Sequence, residues 1–424
     1  MRAGFVIALS AIALLLSTGC AKEEAPPAAA KPMEAAPTTA LTAVSNVPRD
    51  KPFTFPLPEG LTADQIEGVA VLQGNEFVAV GAELKDRQVI IAPASAYERN
   101  GTYTLRLFAA GGKRYEGSFT TESYVRVEPG RIQDVAANPA KGFHFDYYLY
   151  VPPGVKPGGA YRFLIAPNDS RGALSDSAEY HAGFAWNLVQ PSTQARLVAD
   201  ALNLIVLAPA VPYPTSPAGL YLQTLSRATL QVKQAPFVRV DEQVIAMVDD
   251  ARQMLAQSDI QTEKQVFVSG TAAAGLFADR FALLHPDLVA AVACGGTSGM
   301  ITLPLADYQG RTLRYPIGIA DLQEVGGIAF RPEAYRQVAR FVYLSEKDTK
   351  DFMRDGHAFE QQDADLISAV LGAQLQPDRW RKTQQIALEM ELPIRFATYP
   401  DAPDVADLID FFRVRMNENG GTAK

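Results

Sequence analysis

Val266-Phe267-Val268-Ser269-Gly270-Thr271-Ala272-Ala273-Ala274-Gly275 changes its periodicity midway, and that change decides the fold. Up to Val268 the residues are apolar and mostly β-branched, as in a buried strand. Beyond Gly275 apolar residues recur at helical spacing through Phe277, Phe281 and Leu284 as far as His285-Pro286. The stretch predicts a strand, a sharp turn and a helix. Ala272 stands at the middle of the turn with small residues on both sides.

Working outward, strand and helix patterns alternate from Ser123 onward, which predicts an α/β unit with a mostly parallel sheet and helices on both faces. Candidate strands are 147–151, 161–166, 202–208, 265–269, 288–293, 340–344 and 393–399, several of them continuous apolar runs of the kind that buried parallel strands require. Helices are expected over 240–257, with Val240, Val244, Met247, Ala251 and Leu255 on one face, and over 363–371 and 405–416.

The preceding segment, 51–122, instead carries short alternating runs such as Tyr103-Thr104-Leu105-Arg106-Leu107, spaced as in a small all-β sandwich. Its tail, from Ile91-Ala92-Pro93 through Asn100-Gly101-Thr102-Tyr103 to Ser118-Phe119-Thr120-Thr121, resembles bacterial immunoglobulin-like modules. Residues 20–50 are rich in Ala and Pro and read as a tether. Residues 1–19 carry Arg2, an apolar run from Phe5 to Leu16 and Ser17-Thr18-Gly19 before Cys20. This resembles a bacterial lipoprotein signal, which implies cleavage before Cys20 and its acylation. A bilayer is then an expected partner, and the expected location is the periplasm or cell surface. Ala21 in place of aspartate favours the outer membrane over the inner.

The bulk properties narrow the field. Cleavage would leave Cys294 without a disulfide partner in an oxidising compartment, so stability has to come from apolar cores. A net charge of −8 argues against nucleic acid or an anionic lipid surface as a partner.

Residues 123–418 resemble an α/β-hydrolase domain of the secreted esterase and polyester-depolymerase type. The resemblance rests on Pro167-Asn168-Asp169, Arg239-Val240-Asp241, the turn from Ser269 to Pro286, Arg314-Tyr315-Pro316-Ile317-Gly318 with Asp321, and Tyr343-Leu344-Ser345-Glu346-Lys347-Asp348. It implies a serine nucleophile in a Gly-x-Ser-x-Gly elbow, then an acid, then a histidine, with two backbone N–H groups facing the oxyanion.

Matched position by position, this chain departs from that pattern twice. Ala272 stands where the serine belongs, and a methyl group cannot attack. The acid position is Asp348, with Asp351 nearby. The histidine is due after the last strand, in Tyr399-Pro400-Asp401-Ala402-Pro403-Asp404, where Asp404 stands instead. Alternatives are a Thr271 nucleophile and His357, the one histidine following Asp348. His144, His181 and His285 suit surface, packing or helix-capping roles. The oxyanion groups fall at Ala273 and near Asp169.

No HExxH, paired-cysteine, phosphate-loop or calcium-loop pattern is present in the sequence, so neither a metal nor another cofactor is expected. The reading is an envelope lipoprotein whose hydrolase-like unit has lost its triad and serves in binding or scaffolding. Its expected partner is a small ester, acyl or sugar ligand or an envelope protein. The alternative is a divergent esterase working through Thr271 or an unrecognised base.

Overall fold

The computed structural model describes residues 38–49, 51–85, 87–98, 101–121 and 127–419. Cys20 and the signal segment lie outside these residues. The chain divides into two compact units with the division after Val125, close to the 122/123 boundary expected from the sequence.

The first unit is all β. Strands Thr38–Ala40, Val44–Val47, Ile66–Gln73, Glu76–Val78, Thr102–Ala109 and Lys113–Thr121 form one sheet, and Phe53–Pro56, Val80–Lys85 and Gln88–Pro93 form another. Alternation places Tyr103, Leu105 and Leu107 inward, where they share a core with Phe55, Val89 and Ile91 of the other sheet. The tether expectation needs a correction here. Thr38–Ala40 and Val44–Val47 both run parallel to Lys113–Thr121, and Val47 is buried, so ordered chain begins within 20–50. These strands are too short to show a period in a Pro-rich background.

The second unit is built on an eight-stranded sheet. Its strands are β1 (Ile132–Val135), β2 (Tyr147–Tyr150), β3 (Phe163–Ile165), β4 (Ile205–Pro209), β5 (Val266–Thr271), β6 (Val289–Gly295), β7 (Ala339–Ser345) and β8 (Ile394–Tyr399). Their order is β1-β2-β4-β3-β5-β6-β7-β8, with β2 antiparallel to both neighbours and every pair from β4 to β8 parallel. Helices α1 (Ala178–Leu188), α2 (Gln194–Leu202), α3 (Val240–Ala256), α4 (Ala273–Leu284) and α5 (Val405–Asn419) cover both faces. Tyr150 on β2 reaches Asp200 of α2 with its hydroxyl, while Tyr147 on the opposite face reaches Asp250 of α3 at 2.7 Å.

Two strand boundaries differ from expectation. The strand expected from Leu202 starts at Ile205, because α2 runs through Leu202 and ends on Asn203 in the left-handed conformation (φ 53). The strand expected over 161–166 is interrupted at Arg162, with Ala160–Tyr161 pairing separately with Gln261–Thr262.

The arrangement is α/β-hydrolase-like. The chain leaves β3 toward β4 on one side and leaves β5 toward β6 on the other. A crevice therefore opens beyond the carboxyl ends of β3 and β5, between the loop carrying Asp169 and the turn carrying Ala272.

Candidate functional site

The turn between β5 and α4 is held in a conformation that a side chain resists. Ala272 has φ 57 and ψ −124, its N–H donates to Gly295 O at 2.9 Å, and its carbonyl accepts from Leu276 N to start α4. The flanking glycines are required by contact. A Cβ on Gly270 would lie 2.3 Å from Ala274 O, and one on Gly275 would lie 2.4 Å from Gly295 O. This is the geometry of a nucleophile elbow, with a methyl group at its apex. Thr271 is the last residue of β5, exposed and opposite Gly295. Ala273 opens α4, and no side chain caps that helix, so its first amides face the crevice end.

Asp348 sits in the loop after β7, within the same neighbourhood. The position that a Cβ on Gly296 would take is 3.3 Å from Asp348 Oδ2 and 3.3 Å from Ala272 N, so the carboxylate and the elbow flank one glycine. Asp348 Oδ1 accepts from Lys350 N at 3.1 Å. Burial pushes this carboxyl above the usual range, outweighing the Lys350 N–H and ammonium.

The position expected for histidine is not part of this cluster. Asp404 is exposed, and its Oδ1 accepts from Ala406 N at 2.9 Å at the start of α5. Its loop does lie beside the acid loop, through Glu346 N to Tyr399 O and a Lys347–Asp401 pair at 2.5 Å. The expected loop thus borders the acid loop, and it carries no imidazole. His357 does not replace it. Its Nδ1 lies 2.8 Å from the Tyr213 hydroxyl, and Tyr213 in turn stacks on Tyr221 with centroids 3.7 Å apart. Among the described residues no hydrogen bond joins His357 to Asp348. His285 ends α4 and contacts the buried Asp241 at 2.8 Å, and Arg239 forks onto the same carboxylate.

The sequence reading missed a buried polar network beneath the Asp169 loop. Asp169 leads into a tight turn at Ser170–Gly172, with Gly172 N bonded to Asp169 O. Ser170 Oγ lies 2.6 Å from His181 Nδ1 and accepts from Gln223 Nε2 at 2.7 Å. His181 Nε2 lies 2.8 Å from Ser175 O, an arrangement that assigns the proton to Nε2 and leaves Nδ1 to accept from Ser170. Burial lowers the His181 pKa, so the ring is neutral. Ser170, His181 and Gln223 are all fully buried, which makes the group a brace for the loop rather than a nucleophile and base open to substrate. Ser170 lies in a turn ahead of α1 and His181 within α1, so no single helix or strand pattern links them in the sequence.

The same end of the sheet has a groove of about 270 Å³ next to the segment that follows β4. Phe145 and Phe237 stack in its wall beside Pro212 and Pro236, with His144 and Asp176 at its edge. Among the described residues no cluster of three or more His, Cys, Asp or Glu side chains could hold a metal ion. Cys294 is free and buried, and burial pushes its thiol pKa well up.

No family model matches this chain, and no curated protein matches it. Solved structures similar to it include a thermostable esterase at 14% identity, covering 90% of this chain and 96% of that one with a TM-score of 0.35. An enterochelin esterase from Shigella flexneri is 10% identical, covering 86% of this chain and 93% of its own, also at 0.35. A siderophore hydrolase from Aspergillus nidulans is 15% identical over 71% of this chain and 99% of its own, again at 0.35.

Proposed function

We propose that this chain is an envelope lipoprotein whose hydrolase-like unit binds a ligand without turning it over. Ester, acyl and sugar compounds are the ligand classes, and scaffolding of an envelope protein is the other use of the same surface. In this reading acylated Cys20 anchors the chain, on the outer membrane, and the first unit serves as an immunoglobulin-like spacer. One observation carries the loss of catalysis. The elbow and its acid neighbour Asp348 stand side by side, yet Ala272 offers a methyl group, Asp404 caps a helix and His357 is engaged by Tyr213. Acyl transfer needs an attacking oxygen and a base within hydrogen-bond reach of it. The groove beside the Asp169 loop, with its stacked aromatic wall, supports binding of a small ligand.

The test is labelling of the purified protein with a serine-reactive fluorophosphonate, combined with hydrolysis of p-nitrophenyl esters. The expected result is no label and no turnover above background. Stoichiometric labelling would overturn the reading. Turnover abolished by Thr271→Ala or His357→Ala would replace it with the divergent esterase.

A further inference from the structure

The groove beside the segment that follows β4 joins an apolar wall to an acidic edge. Phe145 and Phe237, both half-buried, stack with ring centroids 6.1 Å apart, and proline rings extend this wall. Asp146 and Asp176 also line the groove, with Ala178 at the start of α1. Successive residues of an extended segment point to opposite sides. Two residues after Asp146, Tyr148 packs against Trp186 of α1, so Asp146 lies on the α1 side with Asp176, while Phe145 meets Phe237 just ahead of α3.

Both carboxylates keep capacity for a ligand. Asp146 is half-buried, its Oδ1 accepts from Ala137 N at 2.8 Å, and its Oδ2 has no hydrogen bond among the described residues. Asp176 is exposed, and hydrogen bonds from the Thr215 hydroxyl and then the Thr215 N–H hold its carboxyl below the usual range, so it is ionised. Nothing in the described lining answers these charges. With His144 counted as neutral, the lining carries two negative charges and neither Lys nor Arg. The positive end of α1 is already met by the Ser177 side chain, which accepts from Tyr180 N, and by Glu179 in the first turn.

We propose that the ligand of this groove carries a primary ammonium on a small apolar body, the ammonium pairing with Asp146 and the body lying against the Phe145 and Phe237 rings. The inference rests on the binding function proposed above and sets the charge of the ligand: the ester, acyl or sugar compound that binds is an amine-bearing one. Carboxylates that complement a cation select its sign, and the aromatic wall supplies the apolar contact. At about 270 Å³ the groove is smaller than the roughly 300–1,000 Å³ of sites for drug-sized ligands, which suits one ring and a short chain.

The experiment is calorimetric titration of the full chain with phenethylamine in an amine-free buffer, beside 2-phenylethanol as the neutral isostere and 3-phenylpropionate as the anion. Saturable binding of phenethylamine is expected, with 2-phenylethanol about tenfold weaker or more and 3-phenylpropionate unbound. Asp146→Asn, which keeps an acceptor for Ala137 N and removes the charge, is expected to weaken phenethylamine about tenfold and to leave 2-phenylethanol unchanged. The comparison of the three compounds on the unsubstituted chain needs no variant, so it decides the matter even if Asp146→Asn fails to fold. Absence of saturable phenethylamine binding, or equal affinity for 2-phenylethanol, overturns the proposal. Either result leaves the loss of catalysis standing, since that is overturned by fluorophosphonate labelling or ester turnover, measured on the same preparation.

Discussion

Ala272→Gly should stabilise the second unit, because the elbow imposes a backbone conformation that benefits only a catalytic side chain. At φ 57 and ψ −124, Ala272 lies outside the left-handed helical well, in a region where a Cβ is in steric conflict. Such residues cost roughly 1–3 kcal/mol, and glycine removes most of that cost. Against this, glycine adds about 0.4–1 kcal/mol of unfolded-state entropy, and a half-buried methyl group is lost at a few tenths of a kcal/mol. The net expectation is a gain of about 1 kcal/mol. Both tryptophans, Trp186 and Trp380, lie in the second unit, so fluorescence-detected urea unfolding of the full chain reports on it alone. With an m-value near 3 kcal/mol/M for a unit of this size, the midpoint should rise by about 0.3 M. Gly270→Ala is the control of opposite sign, since its Cβ would meet Ala274 O at 2.3 Å and overpacking of that kind costs about 1–3 kcal/mol. A midpoint lower by 0.3 M or more in Ala272→Gly would refute the strain argument.

Ala272→Ser alone should leave p-nitrophenyl acetate hydrolysis at background, because an unactivated serine is a weak nucleophile and the nearby Asp348 has no imidazole to orient; rapid turnover would reveal a base outside those considered. Ser170→Ala should cost about 1–3 kcal/mol in urea unfolding by stranding His181 Nδ1 and Gln223 Nε2, with no change in ester turnover; a stability-neutral result would contradict the bracing role. Burial alone would raise the Asp241 pKa, but hydrogen bonds from His285 and Arg239 outweigh it and bring the value down to about 2. A depressed folded-state pKa contributes stability that is fully present above the unfolded value near 4 and is lost as pH falls through about 2, here about 2 kcal/mol. Asp241→Asn should accordingly flatten the acid limb of the urea midpoint between pH 4 and pH 2, and an unchanged limb would place the titration elsewhere.

The parts of this fold that were legible in the sequence are those where one local rule decides the outcome. Val266–Val268 could only be a buried strand, and Gly270 and Gly275 mark a close approach whose physical cause is now visible in Ala274 O and Gly295 O. Asp348 follows a strand end in the sequence, and the fold brings its carboxylate to the same glycine, Gly296, that borders Ala272 N. The limits of α2 and β4 were not, because a left-handed Asn203 is a decision of three or four atoms that leaves no period. Thr38–Ala40 escaped because it has no inward face of its own and is ordered by pairing with Lys113–Thr121, more than seventy residues away. The Ser170–His181–Gln223 brace depends on two loop segments meeting α1, and the burial of Arg162 is set by Phe267 and Glu263, distant in sequence.

These contrasts explain how the elbow is held with alanine at its apex. The strained apex is fixed by packing around it rather than by the residue that occupies it. Gly270 and Gly275 let α4 press against β5 and β6, and a Cβ on Gly295 would fall 2.0 Å from the Tyr343 ring. Gly296, at φ 61, carries the chain past Ala272 N and Asp348 Oδ2 with no room for a larger residue to be tolerated freely. Ala272 is thus held by at least four close-packed glycines, none of which touches chemistry. A hydroxyl at the apex would differ from this methyl by one atom, whereas relaxing the turn would require repacking the centre of the sheet. An intact elbow geometry is therefore evidence about the core of the second unit, and the chemistry has to be read from the side chains that reach it.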